Sequence, residues 1–336
     1  MRKLHIIILL AVGLFFISLP CFAGGLDKET PPSYTESSFM GRIQSFFREG
    51  EIKYLATLTQ GYDSNVWLDS RRDGDGYMQL FFRPTFTSAI NDKLKGILEY
   101  EVMSLMYMTE SNADLLTNTL GVGTDYEISK DLKFSTMYRF SSTELIHSGE
   151  DDFLDNSLEL KLAQKLPNKI FHNLSYELMY KNYQERKLRT SSAVLSEKER
   201  EDERHTAAYE IGKYFPNDLF KVKFQYYNND SNEAFLKFYD FDSYKIGASL
   251  THLFNKKFFC YASFSRQWRD FRSRTLSLDA NFKEWDRTYL AVLALYYNLS
   301  KQMTLGFNYT YRENWSNEPL ENYSGSLISV STSYKF

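Results

Sequence analysis

Segments of about ten residues in which apolar and polar side chains alternate strictly recur along the whole chain, and this period of two constrains the fold most. In 133–140 one side of a strand carries Phe134, Thr136, Tyr138 and Phe140, the other Lys133, Ser135, Met137 and Arg139. In 219–226, Phe220, Val222, Phe224 and Tyr226 oppose Lys221, Lys223 and Gln225. In 303–312, Met303, Leu305, Phe307, Tyr309 and Tyr311 oppose Thr304, Gly306, Asn308, Thr310 and Arg312. A tilted strand of this length crosses a bilayer. About fourteen such strands can be counted, beginning near Ile52, Gly76, Leu94, Asp114, Leu132, Leu154, Ile170, Arg204, Leu219, Asp242, Lys257, Asp286, Met303 and Ser324.

The connections fall into two classes. INDK, SKD, LPNK, FPND, FNKK and LSKQ are short and share the Asn, Asp, Pro and Lys of tight turns. The others are long and polar, the longest being ERKLRTSSAVLSEKEREDE, which reads as a solvated loop. Short turns on one side and long loops on the other describe an all-β, transmembrane, antiparallel up-and-down barrel of about 14 strands, with periplasmic turns and extracellular loops. Trp67, Trp268, Trp285 and Trp315 all fall beside long loops, which places them at the outer interface. The last strand puts Ile328, Val330, Thr332, Tyr334 and Phe336 on one face and must pair with the first, because an open edge in hydrocarbon leaves backbone groups unsatisfied. A soluble barrel or sandwich also alternates, but turns its apolar face inward. The terminal Phe, the loop asymmetry and the 17% aromatic content favour the membrane.

Residues 1–23 read as a signal peptide, with Arg2 and Lys3 before an apolar run and cleavage after Ala23; Cys21 follows Pro20, an unsuitable context for lipidation. Residues 24–51 are expected to form a periplasmic stub, or a short helix or plug carrying Phe39, Met40, Ile43, Phe46 and Phe47, and 52–336 the barrel. The net charge of -3 gives no reason to expect a nucleic-acid partner. His147, His172, His205 and His252 lack ligand spacing and no nucleophilic triad is visible, so neither a metal, a cofactor nor enzyme activity is expected.

Parity assigns a lumen face. Arg83, Lys133, Arg139, Lys161, Lys181, Lys221, Lys223, Lys245, Arg269, Arg312 and Lys335 are expected to point inward, with Glu99, Glu101, Asp125, Glu159, Glu177 and Glu210. The bland reading is a set of salt bridges that hold the wall in shape. The sharper one is a pore that prefers anionic solutes or acidic polymers, because bases outnumber acids. The segment RTYLAVLALYY is apolar on both faces and invites a plug or partner.

QGYDSNVW, with Asp63, Ser64 and Asn65, resembles the opening of barrels in the surface lipoprotein assembly modifier family and of exopolysaccharide-export barrels. Asp286, Arg287, Tyr309, Tyr311, Arg312, Ser316 and Asn317 resemble the closing hairpins of the same group. The resemblance implies an outer-membrane barrel of a Gram-negative bacterium that exports a polymer or works in surface protein assembly. It also implies that Tyr334 and Phe336 form a signal for the outer-membrane assembly machinery. Those relatives carry a helical-repeat domain before the barrel, and the stretch from Gly24 to Glu51 is shorter than one repeat of ~34 residues. The recruitment part would then be missing or lie on another chain, a periplasmic partner protein. The expected surroundings are outer-membrane lipid and lipopolysaccharide. The expected role is a channel for a solute or polymer, with a plugged barrel in adhesion, surface protein assembly or lipoprotein display as the alternative.

Overall fold

The structure is a computed structural model and describes residues 50–147, 152–189, 194–233, 235 and 237–336. The expected signal peptide, and the stub as far as residue 49, lie outside the described residues. Fourteen antiparallel strands follow one another around a closed barrel: β1 (Glu51–Asp63), β2 (Asp75–Ala89), β3 (Leu94–Tyr107), β4 (Leu115–Ser129), β5 (Leu132–Leu145), β6 (Phe153–Leu166), β7 (Ile170–Arg189), β8 (Leu195–Tyr214), β9 (Asp218–Ser231), β10 (Phe241–Leu253), β11 (Phe258–Thr275), β12 (Lys283–Asn298), β13 (Met303–Ser316) and β14 (Tyr323–Lys335). Every strand pairs with its sequence neighbours, and β14 pairs with β1 from Leu55↔Lys335 to Asp63↔Leu327. No edge is left for hydrocarbon to meet.

The six turns on one rim are two to four residues long, and the connections on the other are five to eleven. In the turn 167–169, Asn168 and Lys169 both take φ of 60°, a left-handed pair that asparagine tolerates at its first position. At the closing seam Tyr54 and Phe336 exchange backbone hydrogen bonds and stack with centroids 4.8 Å apart.

The register separates the two faces. Leu58, Leu80, Phe82, Leu120, Leu158, Leu174, Phe224, Phe264, Leu293, Phe307 and Val330 are all exposed on the outer face. An apolar belt of that extent is stable only against lipid. Charged side chains meet on the other face, and there they reach across a whole strand. Arg139 of β5 bonds Glu99 of β3 at 3.0 Å, over Gly121 of β4, where a Cβ would lie 2.5 Å from the Glu99 side chain. Such a reach suits the concave side of a cylinder.

The strand starts match the sequence reading within one residue except at two places. β12 begins three residues earlier than expected, at Lys283, and β8 nine residues earlier, at Leu195 rather than Arg204. The stretch read as a solvated loop is thus mostly a β7–β8 ribbon that continues beyond the apolar belt. Charge on both faces erases the hydropathy signal there, while the ladder persists through register shifts at Asn182/Lys187 and Lys187/Arg189. In β12 the two apolar faces are separate surfaces: Ala291, Leu293 and Leu295 face out, and Leu290, Val292, Ala294 and Tyr296 face in. Ala294 is buried, and Tyr296 stacks on Phe259 of β11 at 4.8 Å, so the inner face is packed partly against its own wall.

Candidate functional site: the lumen wall

The wall from β2 to β9 carries the charge. Register puts Arg83, Glu99, Glu101, Asp125, Lys133, Arg139, Glu159, Lys161, Glu177, Lys181, Glu210, Lys221 and Lys223 on the inner face, with Lys245, Arg269 and Arg312 on later strands. Most are bridged to a neighbour. Arg139 holds Glu99 at 3.0 Å and Glu159 at 3.3 Å, Lys133 holds Asp125 at 3.0 Å, Lys221 holds Glu210 at 3.4 Å, and Arg83 lies 3.9 Å from Glu101. Ser135 adds a hydrogen bond to Asp125 at 2.6 Å, and Asn173 one to Glu210 at 3.0 Å. Arg83 and Lys133 remain 40% and 44% exposed, so these bridges are wet. Lys161, Lys223 and Lys245 form no ion pair among the described residues.

The same register adds acids that the sequence reading left out. Asp63, Asp155, Asp202, Glu284 and Asp286 also face inward. They answer part of the expected excess of bases, Asp286 taking Arg269 at 3.4 Å and Asp63 taking Arg312 at 2.6 Å, while Asp202 and Glu284 answer two further bases, Arg200 at 2.5 Å and Arg274 at 2.6 Å. The parity that selected Glu159 and Arg269 also selects Asp155 and, through cross-strand pairing, Asp286.

At the outer mouth, cations and rings alternate along the inner wall. Lys181 sits 3.3 Å from the centroid of Phe153 and 5.0 Å from that of Tyr183; Arg200 lies over Tyr183 and Tyr239. Arg269 lies 4.9 Å from Phe241, and Arg274 4.4 Å from Phe238 and 4.8 Å from Phe271. This band ties the 232–240 connection to the wall, since each contact keeps a guanidinium or ammonium against a ring face. In the connections themselves, Glu318 accepts from the Ser277 backbone at 2.7 Å and its hydroxyl at 2.9 Å, and the backbone N–H holds its carboxyl below the usual range. Arg71 does the same for Asp69 through a side-chain hydrogen bond. Burial instead pushes Asp240 up.

The residues of the family-like opening form a clasp over the seam. Arg312 of β13 reaches across β14 and donates to both oxygens of Asp63, at 2.7 and 2.6 Å, and to the Asn65 carbonyl at 2.7 Å. Asp63 is 1% exposed. Asn65 donates to the Ser324 carbonyl at 3.1 Å and to that of Asp69 at 2.7 Å, and the Ser326 amide donates to Ser64 at 2.7 Å. Gly325 makes room, with Asn65 Cβ 3.0 Å from where its own Cβ would be. Tyr309, Tyr311 and Arg287 belong to the outer face, and Arg287 pairs there with Asp270 at 2.9 Å.

The histidines do not converge. His205 meets Glu203 at 2.7 Å and Tyr176 at 2.6 Å on the outer face, and His147 lies 3.7 Å from Asp114; the hydrogen bonds of neither reach a serine among the described residues. No group of three or more metal-ligating side chains occurs among the described residues.

A closed, lipid-belted cylinder with a polar inside, short turns below and long loops above defines the outer-membrane β-barrel class, and the chain belongs in the outer membrane of a Gram-negative bacterium. Solved structures agree on the fold. OmpT, an outer-membrane protein of Vibrio cholerae, matches in its loop L8 deletion form with a TM-score of 0.53 at 9% identity, over 85% of this chain and 99% of that one. The same protein as expressed in the outer membrane gives 0.52 at 10%, over 85% and 98%. No family model and no curated protein matches the chain.

Proposed function

We propose that the barrel is a channel for a hydrophilic solute or an exported polymer, and that it favours anions along part of its wall. One observation carries this: the charged face of β2–β9 stays partly exposed inside a lipid-bound cylinder. A dry, packed interior would bury those groups at a cost of several kcal/mol each. Selection would be electrostatic and steric, with no covalent step. Lys161, Lys223 and Lys245 supply positive potential, since none of them is held in an ion pair among the described residues. The resemblance to assembly-modifier and exopolysaccharide-export barrels supports a polymer as cargo. Its opening residues, however, close the barrel here, a task independent of what passes through. Tyr334 and Phe336 offer the aromatic end that the assembly machinery would read.

A second reading, a surface barrel working through its loops, is favoured by the ring-and-cation band that fastens the 232–240 connection inside the mouth. Planar-bilayer recording of the refolded chain separates the two. Discrete conductance steps with an anion-side reversal potential are expected. A correctly closed barrel that never conducts would overturn the channel, and cation preference would overturn the role of the three lysines.

A further inference from the structure

The outer face is apolar or aromatic around the belt, and among the described residues one cation is set deep into it without a counter-charge, Lys213 being unpaired only at the short-turn rim. Arg266 of β11 lies between lipid-facing Phe264 and Trp268, and its cross-strand partners are Ile246 and Tyr289. Its guanidinium rests 4.7 Å from the Trp268 centroid and 5.1 Å from that of Tyr289, and its Nε is buried without a hydrogen-bond partner. Other outer-face cations differ: Arg272 is held by Asp230 and Asp242, Arg287 by Asp270, and His205 by Glu203.

Arg266 is the ninth residue of β11, counted from the short-turn rim. At 3.3 Å per residue and a tilt near 40° it stands ~20 Å up a belt ~25 Å tall, just below the outer headgroups. Beside it, on the same face, runs a groove of about 480 Å³. Trp268, Tyr244 and Ile246 form one side, Phe224 and Tyr209 the other, and Ala207 leaves its floor low. Trp268 belongs to both features, so a hydrocarbon slot and an unanswered cation adjoin at headgroup depth. A molecule that fills both has an acyl chain and an anion joined at that depth.

We propose that Arg266, Trp268 and the Ala207 groove form a site for an acylated lipid of the outer leaflet whose headgroup is a net-anionic phosphate monoester, as distinct from a zwitterionic phosphodiester. The acyl chain lies in the groove, and phosphate oxygens accept from the Nη groups of Arg266. The two rings keep the guanidinium's faces dry and turn its edge to the headgroup layer.

Native mass spectrometry of the full chain in detergent tests this, with bis-phosphorylated lipid A, its dephosphorylated form and phosphatidylethanolamine as probes. Retention of the phosphorylated lipid about tenfold above the other two is expected, as for a charge-assisted hydrogen bond. Arg266→Gln should remove that preference, and Ala207→Leu should lower retention of all three lipids. Arg272→Gln, a change to a cation already paired, should leave binding unaltered; heat-modified gel migration verifies closure of each variant. Equal retention by the parent chain and Arg266→Gln, or by phosphorylated and dephosphorylated lipid, overturns the site. So does complete displacement by inorganic phosphate, which would mean that the groove contributes nothing. A dimer mass that displaces lipid would assign the face to a second copy and equally overturn it.

Discussion

The two sides of the lumen are built by different means. From β2 to β9 the inner face is held mostly by partly exposed ion pairs such as Arg83 with Glu101 and Lys133 with Asp125, the buried Arg200–Asp202 pair of β8 being the exception. Around the seam, β14 offers Ser329, Ser331 and Ser333, and Thr57 meets Ser333 at 2.9 Å. Among the described residues the only ion pair on that face of the seam with a buried member is Arg312–Asp63, since both partners of Lys53–Glu51, at the lower end of β1, are exposed. Exposed pairs are each worth little and are replaceable, whereas a buried charge that loses its partner is costly. The charged wall therefore has room to vary with the solute, while at the seam the one buried carboxylate, Asp63, depends on Arg312.

Arg312→Ala tests the contrast most severely. It strands a buried carboxylate and should destabilise the closed barrel by about 3 kcal/mol, read as a lower urea midpoint in gel-shift unfolding. Asp63→Asn in addition should recover part of the loss; no recovery would show that the guanidinium acts through packing alone. On the charged wall, combined Lys161→Glu, Lys223→Glu and Lys245→Glu should leave closure intact and lower the anion-to-cation permeability ratio roughly fivefold, about 1 kcal/mol. An unmoved reversal potential would remove these lysines from the pore account.

Loops give a comparable effect by another route. Because the Glu318 carboxyl titrates below its unfolded value near 4.3, its contribution is present above that pH and fades as pH falls through the lower folded value. Asp240 works in the opposite sense, since protonation relieves a group that burial has raised. Acid should thus loosen 276–282 and spare 232–240, visible as hydrogen exchange rising in the first segment only. Glu318→Gln should cost about 1 kcal/mol locally and abolish that pH response. The smallest change is Arg83→Gln, within ~0.5 kcal/mol, because its pair is long and wet. A loss comparable to that of Arg312→Ala would erase the distinction between the two walls.

Strand starts were legible wherever lipid imposes alternation. Phe220, Val222 and Phe224 could face only one way once Lys221 and Lys223 faced the other. The β8 start was not legible, because in Glu197–Arg204 charge faces both sides and only the β7 ladder orders the segment. The inner face could be read from parity strand by strand, but its pairing could not. Arg139 reaching Glu99 over Gly121 is a property of curvature, which no single strand records. Asp63 looked like a family mark in the sequence; in space it is the counter-charge of Arg312, 249 residues away.

The six tight turns, two to four residues each, leave the underside of the cylinder almost flat. A protease confined to the periplasm finds none of these six turns long enough to draw into its cleft, while one added to whole cells meets seven longer connections. Digestion from outside is therefore the way to cut this barrel into six hairpins, each keeping its lower bend uncut, with β1 and β14 released as single strands.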